Sequence, residues 1–136
     1  MKKTFTMNEI LVNLNKLYAI SEFESARTLK TKANYAMAKN KETFEGLKKA
    51  FYAPILLTEK EDQDARAALQ LDAKAPLTFD MLKEKSELLP ESVAQKVERY
   101  FSELKATDDF EIHTIKEDVF SELPTEIAML ISWMVD

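Results

Sequence analysis

A single glycine, Gly46, in a chain of 136 residues constrains this sequence more than any other feature. Phosphate-cradling loops, dinucleotide fingerprints and nucleophile elbows need glycine where the backbone turns sharply or comes close to a ligand. One glycine serves none of them. A chain without glycines must stop its elements with polar caps and prolines, which favours helices over tight hairpins. The absence of cysteine and the presence of one histidine, His113, remove thiol chemistry, disulfides and the usual zinc sites. With 46% hydrophobic and 32% charged residues the chain reads as globular, and its length suits one domain spanning 1–136.

The helical signals are local and repeated. Thr6-x-x-Glu9 is a capping box, in which hydroxyl and carboxylate satisfy unpaired amides at a helix start. Met7, Ile10, Leu11, Leu14, Leu17 and Tyr18 then follow at helical spacing to about Ile20. A second helix is expected from Glu22 to Ala53, about 30 residues or roughly 45 Å, ending where Pro54 lacks an amide donor. Ala26, Ala33, Asn40 and Leu47 fall seven apart along it, with Met37, Phe44 and Phe51 on the neighbouring row. That seam resembles a coiled coil in which Asn40 sets register. It can serve two ends. Either it packs on the first helix and the C-terminal half, with Asn40 bonded to a backbone carbonyl or water, or it joins subunits. Gly46 lies inside this helix, where it costs about 1 kcal/mol against alanine, so a close backbone or a local bend is the expected compensation.

Thr58-x-x-Glu61 repeats the capping box and opens a third helix, Glu59 to about Leu71. Its acidic first turns suit the helix dipole and lack the spacing and glycine of a calcium loop. Asp72–Pro76 reads as a linker, and a shorter helix starts at Thr78 or Asp80 and runs through Leu88. Pro90 opens another helix with Val93, Val97, Tyr100, Phe101 and Leu104 on one side, ending near Thr107–Asp109. Phe110–Ile115 alternates and is rich in β-formers, so it is the one expected strand. Its partner is either Ile55–Leu57, giving a small two-stranded sheet, or another subunit. His113 reads as a partly exposed residue of that strand. Lys116–Leu123 supplies one or two helical turns, and a last helix is expected from Glu126 to Val135, apolar nearly all round. It either completes the core or inserts into a partner through Ile127, Leu130, Ile131 and Met134.

The fold class is therefore mainly α, a long helical hairpin or bundle with one short strand. Charge divides it unevenly: residues 1–57 carry +5 and residues 58–136 carry −10. Hence the expected organisation is a basic helical hairpin over 1–53 and an acidic helical part over 58–136. The asymmetry fits either mutual attraction of the halves or a charged surface for a partner. Arg27 is the only arginine of the basic half, and exposed aromatics do not interleave with its lysines, which argues against nucleic-acid binding. No apolar run is long enough for a membrane span, and the N-terminus lacks a signal-peptide core, so a cytoplasmic protein without a membrane is expected.

The N-terminal capped helix Phe5–Tyr18, the Lys-rich helix with Ala36-Met37-Ala38-Lys39-Asn40 and Glu45-Gly46-Leu47, the strand Phe110–Lys116 and the ending Leu123–Leu130 together resemble a family of small bacteriophage-encoded proteins of unknown function. The resemblance covers about two thirds of the chain, departs from it between about Pro54 and Leu89, and carries no catalytic motif. It implies a phage origin, a mainly helical fold and a location in the host cytoplasm or the virion. The expected function is a non-catalytic accessory or structural protein that works by protein–protein contact as a homo-oligomer, without a cofactor or metal. Its contact surfaces would be the seam of Ala33, Met37, Asn40, Phe44, Leu47 and Phe51 and the terminal helix. The alternative is an inhibitor of a host nucleic-acid-binding enzyme, with the acidic half imitating phosphates.

Overall fold

The structure, a computed structural model, describes every residue from Met1 to Asp136. It is mainly helical with one two-stranded antiparallel sheet. The order is β1 (Lys2–Thr6), α1 (Met7–Ser21), α2 (Thr31–Tyr52), α3 (Glu59–Ala68), α4 (Phe79–Glu84), α5 (Glu91–Lys105), β2 (Thr107–Glu111), α6 (Glu117–Ser121) and α7 (Thr125–Ala128), with short 3-10 turns between some of them. The chain forms two compact units, one of Met1–Lys48 with Ala106–Asp136, the other of Lys49–Lys105. This partition replaces the 1–53 and 58–136 halves expected from charge.

In unit 1 the Thr6 capping box forms as expected: the Thr6 amide donates to Glu9 Oε1 at 2.9 Å and the Glu9 amide to Thr6 Oγ1 at 3.0 Å. Met7, Ile10, Leu14, Leu17 and Ile20 bury one face of α1. Tyr18 joins α1 to α2, donating to Glu45 at 2.9 Å beneath the Lys41 ammonium. Helix α2 starts at Thr31 and not at Glu22. Before it stands a 3-10 turn, Glu24–Thr28, and Leu29 is extended. The segment is rich in hydroxyls that take backbone acceptors for themselves: Ser21 Oγ donates to the Tyr18 carbonyl and Thr28 Oγ1 to that of Ser25. Such bonds compete with helix continuation, and Ala26 drops out of the heptad row.

The expected two-stranded sheet is present, but its strand starts earlier and overlaps Phe110–Ile115 only at Phe110 and Glu111. Strand β2 occupies Thr107–Glu111, and its partner is the N-terminal segment β1, neither Ile55–Leu57 nor another subunit. Phe110 pairs with Lys3, and Lys2 faces Glu111, an opposite-charge pair that favours this register. Helix α5 stops at Lys105 accordingly, because Asp108 and Asp109 join the ladder; Thr4 Oγ1 donates to Asp109 Oδ1 at 2.5 Å. His113 follows the strand as an exposed residue, flanked by buried Ile112 and Ile115.

The last helix is shorter than its apolar run suggests. Helix α7 ends at Ala128, and Ser132–Met134 form a 3-10 turn. Non-local partners hold the end of the chain instead. Lys3 Nζ donates to the carbonyls of Trp133 and Val135, each at 2.8 Å, and the Ile115 amide to that of Met134, also at 2.8 Å. A parallel bridge, Ile115 to Val135, finishes the chain. Trp133 stacks on Phe44 at 5.5 Å and meets the edge of Phe5 at 6.2 Å, so α2, β1 and the C-terminal segment share one core.

Unit 2 is helical throughout. The Thr58 amide donates to Glu61 and the Glu61 amide to Thr58 Oγ1, which completes the second capping box. Ala65, Leu69, Leu82, Val93 and Val97 form its buried core, with Phe79 and Phe101 packed against them. Phe79 stacks on Tyr100 at 4.2 Å. Helix α3 ends in a Schellman arrangement: Gln70 adopts φ 57° and the Leu71 amide reaches back to the Arg66 carbonyl at 2.8 Å. Arg66 then holds the following linker through the carbonyls of Asp72 and Ala75.

Gly46 sits within α2 with nothing within 4 Å of where a Cβ would stand. Neither a close backbone nor a positive φ calls for it.

Candidate functional site

The residues expected to meet a partner are largely buried in the chain's own core. Ala33, Asn40 and Phe44 are 0% exposed, Met37 and Phe51 are buried and Leu47 is half-buried. Phe51 packs on Tyr52 and Tyr100 in unit 2, while Phe44 belongs to the Trp133 stack of unit 1. The seam is thus interior and offers no free face. Asn40 spends its amide on one backbone unit: Nδ2 donates to the His113 carbonyl at 2.8 Å, and Oδ1 accepts from the His113 amide at 2.7 Å. The terminal residues expected to meet a partner are covered too, although Met129 among them in sequence is 73% exposed. Ile127, Ile131 and Met134 are 0% exposed, and Leu130 is half-buried with its carbonyl accepting from Trp133 Nε1 at 2.8 Å. Hydrophobicity alone could not separate a core stripe from a docking stripe, since both present the same residues at the same spacing.

Folding also dissolves the charge asymmetry. The basic N-terminal stretch and the acidic stretch after Lys105 belong to the same unit. Unit 1 holds ten basic and thirteen acidic residues, net −3, and unit 2 nine and eleven, net −2. In unit 1 Lys30 pairs with Glu122, the N-terminal ammonium with Glu111 at 3.2 Å, and Ser25 bonds Glu126.

Each unit carries a surface depression of about 530 Å³ or more. In unit 2 a groove of about 570 Å³ runs along α5, with Ala94, Val97 and Phe101 as its apolar floor. Four charged side chains rim it: Lys83, Glu87, Glu98 and Lys105. None of the four enters an ion pair within the chain, although Lys83 lies 4.3 Å from the Phe101 ring centroid. Glu98 and Lys105 are seven residues apart and therefore share a helix face two turns apart, with Phe101 and Ser102 between them. The spacing was readable from the sequence, but α5's inward periodicity hid it. In unit 1 a cleft of about 530 Å³ lies where the start of α2 meets the stretch after His113. Tyr35 and His113 meet there edge to face at 5.7 Å, with Lys32 and Lys116 nearby on its lining. Nothing in the sequence joins Tyr35 to His113, because the contact depends on non-local pairing.

The titratable groups with displaced acidity serve the fold. Lys96 donates to Glu61 at 2.5 Å, and with the Thr58 amide and the Ser92 side chain it pulls the Glu61 carboxyl down to about 2. Lys96 also donates to the Leu56 carbonyl at 2.8 Å, so this ion pair ties α3, α5 and the preceding turn together. Hydrogen bonding to Glu45 raises the Tyr18 hydroxyl, and burial raises that of Tyr100. No three His, Cys, Asp or Glu side chains converge as metal ligands. No helix is long and apolar enough to cross a membrane. No family model, curated protein or solved structure matches the chain.

Proposed function

We propose that this chain is a non-catalytic, phage-encoded accessory or structural protein of the host cytoplasm or virion that works through protein–protein contact, and that it self-associates along α5. The observation that carries the reading is the groove with an apolar floor and unpaired charges of both signs. Two copies of α5 laid antiparallel about a two-fold axis between Phe101 and Ser102 put each Glu98 opposite the other copy's Lys105. An isologous contact requires such self-complementarity. The contact surface is accordingly α5, in place of the interior seam and the covered terminal residues.

Imitation of nucleic acid has weaker support, because each unit carries nearly balanced charge and the acids after Lys105 meet lysine, serine and the N-terminal ammonium. Light scattering tests the self-association: a dimer at micromolar concentration is expected. Glu98→Lys and Lys105→Glu each weaken it about tenfold or more by placing like charges together, and the double reversal restores it. A monomer at all concentrations removes self-association and leaves a foreign protein as the partner. Mass spectrometry of purified phage particles, where the chain is expected as a component, separates a virion role from a host-directed one.

A further inference from the structure

We infer that the cleft of unit 1 between the start of α2 and the segment after His113 is a binding site for a small flat aromatic anion, an aryl phosphate or aryl carboxylate. The inference is independent of self-association along α5. The cleft's volume of about 530 Å³ lies within the range of small-molecule pockets, about 300–1,000 Å³. Its base is apolar: Ala36 is 4% and Ile115 3% exposed. On one wall stands Tyr35, 56% exposed although it is the first ring of a helix whose Phe44 and Phe51 are buried. His113, the only imidazole of the chain, meets it at 88°. The two rings meet each other edge to face, Lys39 lies 5.7 Å from the Tyr35 centroid, and the ring surface left over lines the cleft beside a third ring's place.

The His113 side of the cleft is held still. Asn40 is fully buried, and an amide taken from water is costly unless bonded. Both of its amide atoms are spent on the backbone of His113, which sits between buried Ile112 and Ile115. The rotational freedom of that segment is therefore lost before any ligand arrives, which favours binding. Charge supplies the rest. Lys32 and Lys116 line the cleft, and neither enters an ion pair within the chain; Asp118 is the one acid on the lining. Two free ammonium groups beside two rings select an anion attached to a flat apolar body.

The single histidine makes the test direct. The imidazole C2 proton of the full chain is followed by NMR during titration with phenyl phosphate, benzoate, inorganic phosphate and benzyl alcohol. Phenyl phosphate or benzoate is expected to shift it saturably, about tenfold more tightly than inorganic phosphate or benzyl alcohol. The stronger of the two aromatic anions assigns the head group. Tyr35→Ala and Lys116→Ala, both at exposed side chains, should each weaken that binding about fivefold or more with the thermal midpoint unchanged. Equal binding of inorganic and phenyl phosphate, or aromatic-anion binding untouched by Tyr35→Ala, overturns the aromatic site. So does the absence of any saturable shift at millimolar ligand.

Discussion

Unit 1 and unit 2 bury their cores across very different distances in sequence. In unit 2 the tying bonds span shorter stretches: Arg66 reaches Ala75 nine residues on, and Lys96 reaches Leu56 forty residues back. In unit 1 Lys3 bonds Trp133 across 130 residues, and Asn40 grips His113 across 73. Closing such long loops costs entropy before any contact repays it, although the cost grows only slowly with length. Unit 1 offsets that cost with dense packing around Phe44 and Trp133 and with strands that satisfy each other's backbone. Unit 2 relies on the Thr58 capping box, a Schellman end and one shielded ion pair. The same scarcity of glycine is met in unit 1 by distant pairing added to a local cap, and in unit 2 by local caps.

The sharpest way to break this comparison uses Trp133, the only tryptophan, as a reporter confined to unit 1. Phe44→Ala removes a fully buried ring in stacking contact with it, and large-to-small changes of this kind cost about 3–5 kcal/mol. The urea midpoint followed by tryptophan fluorescence should fall sharply. Leu82→Ala opens the unit 2 core at about 2–5 kcal/mol, and it should lower the midpoint of helical circular dichroism with a smaller effect on the fluorescence midpoint. If both variants move both midpoints equally, the units unfold as one and the division has no thermodynamic meaning.

What was legible in the sequence follows the same division. Both capping boxes, the face of α1, the stop at Pro54 and the α5 periodicity depend on residues within a turn or two of each other, and all of them stand. The β1 segment was invisible because Lys-Lys-Thr-Phe-Thr has too few alternating apolar positions to announce a strand; its identity comes from β2 more than 100 residues away. The terminal run Ile127–Val135 looked helical by composition, yet only Thr125–Ala128 and the 3-10 turn Ser132–Met134 are helical, and the chain end is held by Lys3 and Ile115 from far away in sequence. For the candidate sites, the seam residues were correctly grouped, but spacing cannot say whether the covering surface comes from the same chain. Asn40 was rightly singled out as a polar residue in that seam, while its partner His113 could be found only in three dimensions.

Acid should separate the units by a smaller margin. Glu61 ionises at about 2 in the folded chain against an ordinary 4.5, because Lys96 and the Thr58 amide hold its charged form. A lowered folded-state value means that the unfolded chain binds more protons between these limits, so the contribution is complete above about 4.5 and is lost as the pH falls towards 2. In unit 1 the Lys30–Glu122 pair is 69% and 57% exposed, and surface pairs of that kind contribute little. Urea titrations at pH 7, 4.5 and 3 should therefore show the dichroism midpoint falling more than the fluorescence midpoint. Glu61→Gln should lower the dichroism midpoint at pH 7 and flatten its dependence on pH below 4.5. An unchanged slope in that variant would place the acid sensitivity elsewhere.

The smallest effects concern the two places where glycine and backbone disagree. Gly46 occupies an open position within α2, with room for a Cβ and no positive φ, so Gly46→Ala should stabilise the chain by about 1 kcal/mol. Gln70, by contrast, holds φ 57° at the end of α3, where a side chain costs about 1 kcal/mol that glycine avoids. Gln70→Gly should therefore also stabilise, by less, since glycine adds freedom to the unfolded chain. The reporters keep the two apart: Gly46→Ala should raise the Trp133 fluorescence midpoint, and Gln70→Gly chiefly the dichroism midpoint. If Gly46→Ala destabilises instead, the open space beside α2 is occupied in solution, and titrating the variant against wild type by light scattering would show whether a second copy fills it.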